Sequence, residues 1–125
     1  MVLQKEVFSG KERPIVQGPY SQVVKVGQFL FTSGQIGEDP KADIETQTSQ
    51  ALDRIRSLLE DVGSSLDNVV KCTVYMTDLD EWTKMNEVYM KYFKDKPPAR
   101  TTVGVSRLGK NSRIEIDAIA IAPEK

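Results

Sequence analysis

The chain has no histidine and a single cysteine, Cys72. The first absence removes the Ser-His and Cys-His nucleophile pairs and imidazole ligation of zinc or copper. An enzyme built here must work with carboxylates, Arg, Tyr, hydroxyls, backbone groups or water. The second absence excludes an intrachain disulfide and suits a reducing compartment. An excess of one charge is also missing. Seventeen basic and 18 acidic side chains leave a formal net charge of −1, and the longest basic cluster is Lys94-Asp95-Lys96. Nucleic-acid binding draws on a patch of Lys and Arg facing phosphate, so no nucleic-acid partner is expected. No apolar run approaches the length of a membrane span. The opening Met1-Val2-Leu3-Gln4-Lys5-Glu6-Val7 lacks the apolar h-region of a secretory signal. The expected location is the cytoplasm, with no membrane contact.

The 125 residues fit one domain, 1–125. Gln4 to Phe8 reads as an edge strand, and Arg13-Pro14 and Gly18-Pro19 break regular structure. Strands follow over Ser21–Val26 and Gln28–Ser33, with Gly27 as a tight hairpin or bulge between them. Ile44, Thr48, Ala51/Leu52, Ile55, Leu58/Leu59 and Val62 recur at helical spacing. Asp43 stands as N-cap and Gly63 at the C-terminal cap, while Gln47, Arg54 and Asp61 lie on or near the wet side. Val69 to Thr77 alternates like a strand, with Val70, Cys72, Val74 and Met76 on one face. A second helix over about Asp80–Lys94 has the apolar stripe Trp82, Met85, Tyr89 and Tyr92/Phe93, which Asn86 does not share. Pro97-Pro98 ends it. Strands over Ala99–Arg107 and Arg113–Ala122 close the chain. The order β-β-β-α-β-α-β-β implies an α+β fold with two helices on one face of a mixed sheet. The other face, expected to carry Arg100, Thr102, Glu115 and Asp117, would seek burial against another subunit.

Few residues suggest chemistry on their own. Arg100, at the start of a strand, has the side chain best suited to holding a carboxylate by two parallel hydrogen bonds; the plainer reading is a surface Arg paired with an acid. Glu115, between Ile114 and Ile116, could orient or deprotonate water if its pKa were raised, or be an ordinary polar residue on the alternate face, as could Asp117. Cys72 among valines and methionine reads as a core residue. Asp78-Leu79-Asp80-Glu81 reads as helix capping by Asp78 or Asp80 before it reads as a cation site. Ser33-Gly34-Gln35-Ile36-Gly37 lacks the G-x-x-x-x-G-K pattern of a phosphate loop and is a strand ending in a turn, or a set of N–H groups able to grip an anion.

Four segments in register add a resemblance: Gly18-Pro19-Tyr20-Ser21-Gln22, Thr32-Ser33-Gly34-Gln35-Ile36, Pro98-Ala99-Arg100-Thr101-Thr102 and Arg113-Ile114-Glu115-Ile116-Asp117-Ala118-Ile119-Ala120. Together with Val69-Val70-Lys71 and Asn86-Glu87-Val88-Tyr89, over about Gln17 to Ala122, they resemble the RidA/YjgF family of reactive-intermediate deaminases. The resemblance implies a chorismate-mutase-like fold assembled as a homotrimer, sheets inward and helices outward, with active sites at the subunit interfaces. It implies hydrolysis of small 2-imino and 2-enamino acids to 2-keto acids and ammonia, with no metal and no organic cofactor. By position, Arg100 matches the Arg that holds the substrate carboxylate and Glu115 the Glu that positions water. Tyr20, Ser33 and Asn86 match pocket-lining residues, Gly34 a backbone contact, and Thr102 a position that is often Cys or Thr. The loop from Gly37 to Gln47 and the stretch before Pro98 are shorter than the family pattern, which bears on the pocket rim. The competing reading is a non-catalytic trimeric module that binds a 2-keto acid or amino acid. A ribonuclease or translation inhibitor, an activity attributed to some relatives, fits poorly with the charge and the missing histidine.

Overall fold

A computed structural model describes residues 3–11, 16 and 18–123. Six strands, β1 (Lys5–Phe8), β2 (Val23–Val26), β3 (Phe29–Thr32), β4 (Val69–Met76), β5 (Ala99–Gly104) and β6 (Ile114–Ile121), alternate with two helices, α1 (Ile44–Asp61) and α2 (Trp82–Tyr92), in the expected β-β-β-α-β-α-β-β order. The strands form one sheet in the order β1-β2-β3-β6-β4-β5. Only β4 and β5 run parallel, as the α2 crossover between them requires; the other pairings are antiparallel. This is the mixed α+β sheet that the pattern implies. The expected break at Arg13-Pro14 lies outside the described residues.

Local chemistry sets the boundaries. The Asp43 carboxylate accepts from the Thr46 N–H at 2.8 Å, satisfying one orphan donor of α1. Gly63, at φ +84°, lets the Gly63 and Ser64 N–H groups return to Glu60 and Leu59. Gly27 takes φ +59° in the two-residue turn between the paired Val26 and Phe29. Asp78 caps as expected, accepting from the Asp80 N–H; the helical turn there is a 3-10 turn over Leu79–Glu81 that feeds α2. β5 stops at Gly104, short of the expected Arg107.

The core lies between the sheet and the helices. Ile44, Ala51, Leu52, Ile55 and Leu59 of α1 meet Leu30, Val74, Met76, Ile114, Ile116 and Ala120 of the sheet. Burial of each such side chain contributes about 1.5–3 kcal/mol. Cys72 is fully buried among them, as expected.

Four expectations need correction. Gln47 is not on the wet side: it is fully buried, donates to the Pro40 and Ala42 carbonyls and accepts from the Arg113 N–H, so it ties the α1 entry loop to β6. Val70 does not share the face of Cys72. Register slips between Val69↔Ala120 and Lys71↔Ile119, and this bulge buries Val69 and turns Val70 outward. Trp82 is not core, being 45% exposed, while Val88 joins Met85, Tyr89 and Phe93 inside. Arg100 and Thr102 do not lie on the uncovered face. Their register partners are Cys72 and Val74, both buried under the helices, so the pleat aims them toward α2.

The uncovered face is more apolar than expected. Register aligns Val7, Val24, Phe31 and Ile119 in one row and Val26, Phe29 and Ile121 in the next. Val7, Phe29, Phe31 and Ile121 remain exposed there.

Candidate active site

The first cluster forms where β5, the sheet edge, passes under α2. Trp82, Met85, Asn86 and Tyr89 are spaced at i, i+3, i+4 and i+7, so one helix face carries them all. Asn86 is therefore a member of the stripe, contrary to the sequence reading. Its Oδ1 accepts from Arg100 Nη1 at 2.7 Å. The Arg100 guanidinium carbon lies 4.7 Å from the Tyr89 ring centre and 5.8 Å from that of Trp82. Among the described residues Arg100 forms no ion pair, which removes the plain reading of a surface Arg matched to an acid. Asn86 thus touches the Arg, and its contact to any ligand would run beside that bond. Two residues along the strand, the Thr102 hydroxyl is buried with no partner among the described residues. Burial pushes the Cys72 thiol up to about 11, which keeps it protonated and unreactive near neutrality.

The second cluster lies on the other side of the sheet. Between the pairs Phe31↔Ile119 and Gln35↔Ile116 the chain advances four residues on one strand and three on its partner. The extra residue makes a bulge at Thr32-Ser33-Gly34. Thr32 Oγ1 takes up the Ala118 N–H that the ladder leaves unpaired, at 3.0 Å. Gln35 re-joins β6 by accepting from the Ile116 N–H and donating to the Ile116 carbonyl. The bulge lays Gly34 against Glu115 so closely that a Cβ there would overlap the carboxylate. Glycine is required by that approach. Ser33 donates its hydroxyl to the Ser21 carbonyl at 2.6 Å, leaving its oxygen lone pairs to accept from a ligand N–H. Tyr20, one residue before Ser21, is 52% exposed.

Glu115 is half-buried in the pleat expected of it, with Ile114 and Ile116 beneath the helices. Burial, and then the charge of Asp117, hold its pKa above the usual carboxylate range. Asp117 is raised too, by burial, against the opposing effects of the Tyr75 hydroxyl that donates to it at 3.2 Å and of Lys71.

Arg100 and Glu115 do not meet within one chain. They point from opposite faces of the sheet, and β4 lies between their strands, a separation of about 10 Å across two strand spacings. The sequence reading gave no role to Trp82 or Tyr89 beside Arg100. Their i, i+7 spacing with Asn86 between them was the available signal, and it is the same spacing that a buried stripe shows. Among the described residues, no group of three or more Cys, Asp or Glu is placed to hold a metal ion, and no helix is long and apolar enough to cross a membrane.

A two-helix, mixed-sheet α+β domain with an unpaired arginine on one face and a raised glutamate on the other defines a class, and comparison with known proteins specifies it. The family described as Endoribonuclease L-PSP matches residues 10–122. A RutC family protein of Pyrococcus abyssi is 48% identical over 124 residues, covering 94% of this chain and 98% of the relative. The 2-iminobutanoate/2-iminopropanoate deaminase of Homo sapiens is 40% identical over 125 residues, covering 95% and 91%. The crystal structure of E. coli TdcF with bound serine superimposes with a TM-score of 0.88 at 33% identity, covering 94% of this chain and 99% of that one. The chain belongs to the RidA/YjgF family, as its four motifs imply.

Proposed function

We propose that this protein is a deaminase that hydrolyses small 2-imino and 2-enamino acids to 2-keto acids and ammonia, at sites completed between copies in a homotrimer. The observation that carries the reading is an Arg100 with no acidic partner among the described residues, fixed at one nitrogen by Asn86 and therefore open at its other edge to a carboxylate. The activity named for the human relative and the amino acid bound to TdcF support the same ligand class.

The opposed placement of Arg100 and Glu115 supports an intermolecular site. Arg100 stands on the sheet edge, where a neighbour's uncovered face could bring its own Glu115. The exposed rows of Val7, Phe29, Phe31 and Ile121 form the kind of contiguous apolar surface that association removes from water.

In the mechanism, the enamine tautomerises to an imine, which takes up a proton from solvent to give an iminium electrophilic at C2. Arg100 binds the carboxylate through Nε and Nη2, which makes attack by a held water effectively unimolecular. Glu115 takes a proton as the water oxygen bonds to C2, giving a carbinolamine. Its raised pKa suits it to return that proton to the nitrogen. The C–N bond then breaks, ammonia leaves, and the hydroxyl proton is lost as the ketone forms. Ser33 Oγ is placed to accept from the substrate N–H, and Tyr20, Gly34 and Thr102 line the pocket. No step calls for a metal or organic cofactor.

The test generates the imine with an amino-acid oxidase in the presence of semicarbazide. Less trapped semicarbazone with wild type, and not with Arg100→Ala, is the expected result. Wild type that binds 2-oxobutanoate but never lowers the trapped product would replace the deaminase with the non-catalytic binding module.

A further inference from the structure

We infer that Tyr89 is the positioning residue of the carboxylate clamp: its ring holds the Arg100 guanidinium from below without touching substrate. The inference rests on the clamp proposed above and adds a residue to it.

Tyr89 is buried on α2, with its ring tilted against Phe93 at 4.8 Å between centres and the Arg100 guanidinium carbon over it at 4.7 Å. Its hydroxyl lies beside the thiol of Cys72, which is the register partner of Arg100 on β4. The ring therefore spans one rung of the sheet from its floor to the guanidinium. The hydroxyl has no nitrogen or oxygen partner among the described residues, so the ring face, rather than a hydrogen bond from the phenol, carries the contact.

The geometry separates two jobs that a carboxylate in the same place would confuse. A π face attracts a cation through its quadrupole and leaves the charge unneutralised. The five guanidinium N–H groups all lie in the guanidinium plane. With its carbon over the Tyr89 ring the guanidinium meets no lone-pair acceptor there, and Asn86 and the Met85 sulfur accept from Nη1. Among the described residues the Nε–Nη2 edge has no partner, which leaves it for two parallel bonds to a carboxylate. Had Asp or Glu held Arg100, the edge and the charge would both be occupied before substrate arrived. Burial also raises the pKa of the Tyr89 phenol and the Cys72 thiol, so both stay neutral around pH 7 and offer no rival anion.

The experiment compares wild type, Tyr89→Phe and Tyr89→Met in the full chain. Phe keeps the π face; Met keeps much of the volume and loses the face. Three readouts are taken: kcat and KM in the imine assay, the Kd for 2-oxobutanoate by calorimetry, and the Arg100 Nε–H position in a 15N–1H correlation spectrum, where a ring beneath the guanidinium gives an upfield ring-current shift. In Tyr89→Met, KM and Kd should rise about tenfold with kcat nearly unchanged, as loss of a desolvated cation–π contact predicts, and the upfield shift should shrink to what the more distant Trp82 ring leaves. Tyr89→Phe should match wild type in all three.

Equal losses in Phe and Met, or a Met variant that matches wild type, would overturn the inference. Should Tyr89→Met not fold, the wild-type spectrum still decides, because an unshifted Arg100 Nε–H is incompatible with the ring's role. A wild type that neither hydrolyses the imine nor binds 2-oxobutanoate would overturn the clamp itself. A wild type that does both beside an unaffected Tyr89→Met would overturn only the part assigned to Tyr89.

Discussion

The two faces of the sheet are built differently. On the helix side, Arg100 is fixed by its own chain: Asn86 holds one nitrogen, and Tyr89 and Trp82 offer aromatic faces. On the uncovered side, Glu115 has Gly34 against it and Asp117 and Tyr75 nearby, and the surface beyond is apolar and exposed. The first cluster is pre-organised but lies at an edge. The second carries the candidate carboxylate, and its cation, Lys71, lies by Asp117. In the proposed site the two clusters come from neighbouring copies, since within one chain they face opposite sides of the sheet. On that proposal, one sequence encodes a whole site and a second copy assembles it.

The largest expected effect removes the cation. Arg100→Ala should lower kcat/KM about a thousandfold, the loss of two charge-assisted hydrogen bonds. Its thermal midpoint should fall by only a few degrees, because among the described residues Arg100 has no ion pair to break and loses the Asn86 hydrogen bond and the ring contacts; assay and calorimetric melting read the two effects separately. Next comes the carboxylate. Glu115→Gln should lower kcat about a hundredfold or more, the usual worth of a general base, with little change in KM in steady-state kinetics.

These two variants then test the comparison itself. Co-expressed in equal amounts, they should recover about a quarter of wild-type activity over all randomly assembled trimers, since a site pairing Arg100 of one copy with Glu115 of its neighbour is intact in one of four random combinations. No recovery in co-purified mixed trimers would place both groups in the same chain's site and break the two-face account.

The smallest effect is one of pH. Glu115 must be ionised to accept a proton, so its pKa sets the acid limb of kcat/KM. Asp117 is the second cause of the raised value. Removing that charge lowers the Glu115 pKa, so Asp117→Asn should move the acid limb to lower pH and leave the plateau near wild type. A limb that stays in place or moves up would remove Asp117 from the electrostatics of Glu115.

Much of the fold was legible because its signals are local. The stripe from Ile44 to Leu59, the Asp43 cap, Gly63 and the alternation around Ile114 and Ile116 each depend on neighbours within a few residues, and each stands where the pattern puts it. The misreadings share a cause. Val70 is turned out by a one-residue bulge that its own alternation cannot reveal. Gln47 is polar in composition but buried, because three backbone groups from distant segments satisfy its amide. Trp82 has the same spacing as the core residues Met85 and Tyr89 but lies exposed beside Arg100, which the period alone does not reveal.

By itself, then, the sequence determined the elements, their order, the family and the identity of the candidate residues, since period, capping and motif are written in short stretches of chain. The tertiary structure decided which side of the sheet each candidate faces. Facing is a matter of register, and register was set here by strand pairs far apart in sequence: Cys72 with Arg100, and Gln35 with Ile116. A shift of one residue reverses every side chain on a strand, so no local signal could have told that Arg100 and Glu115 look away from each other.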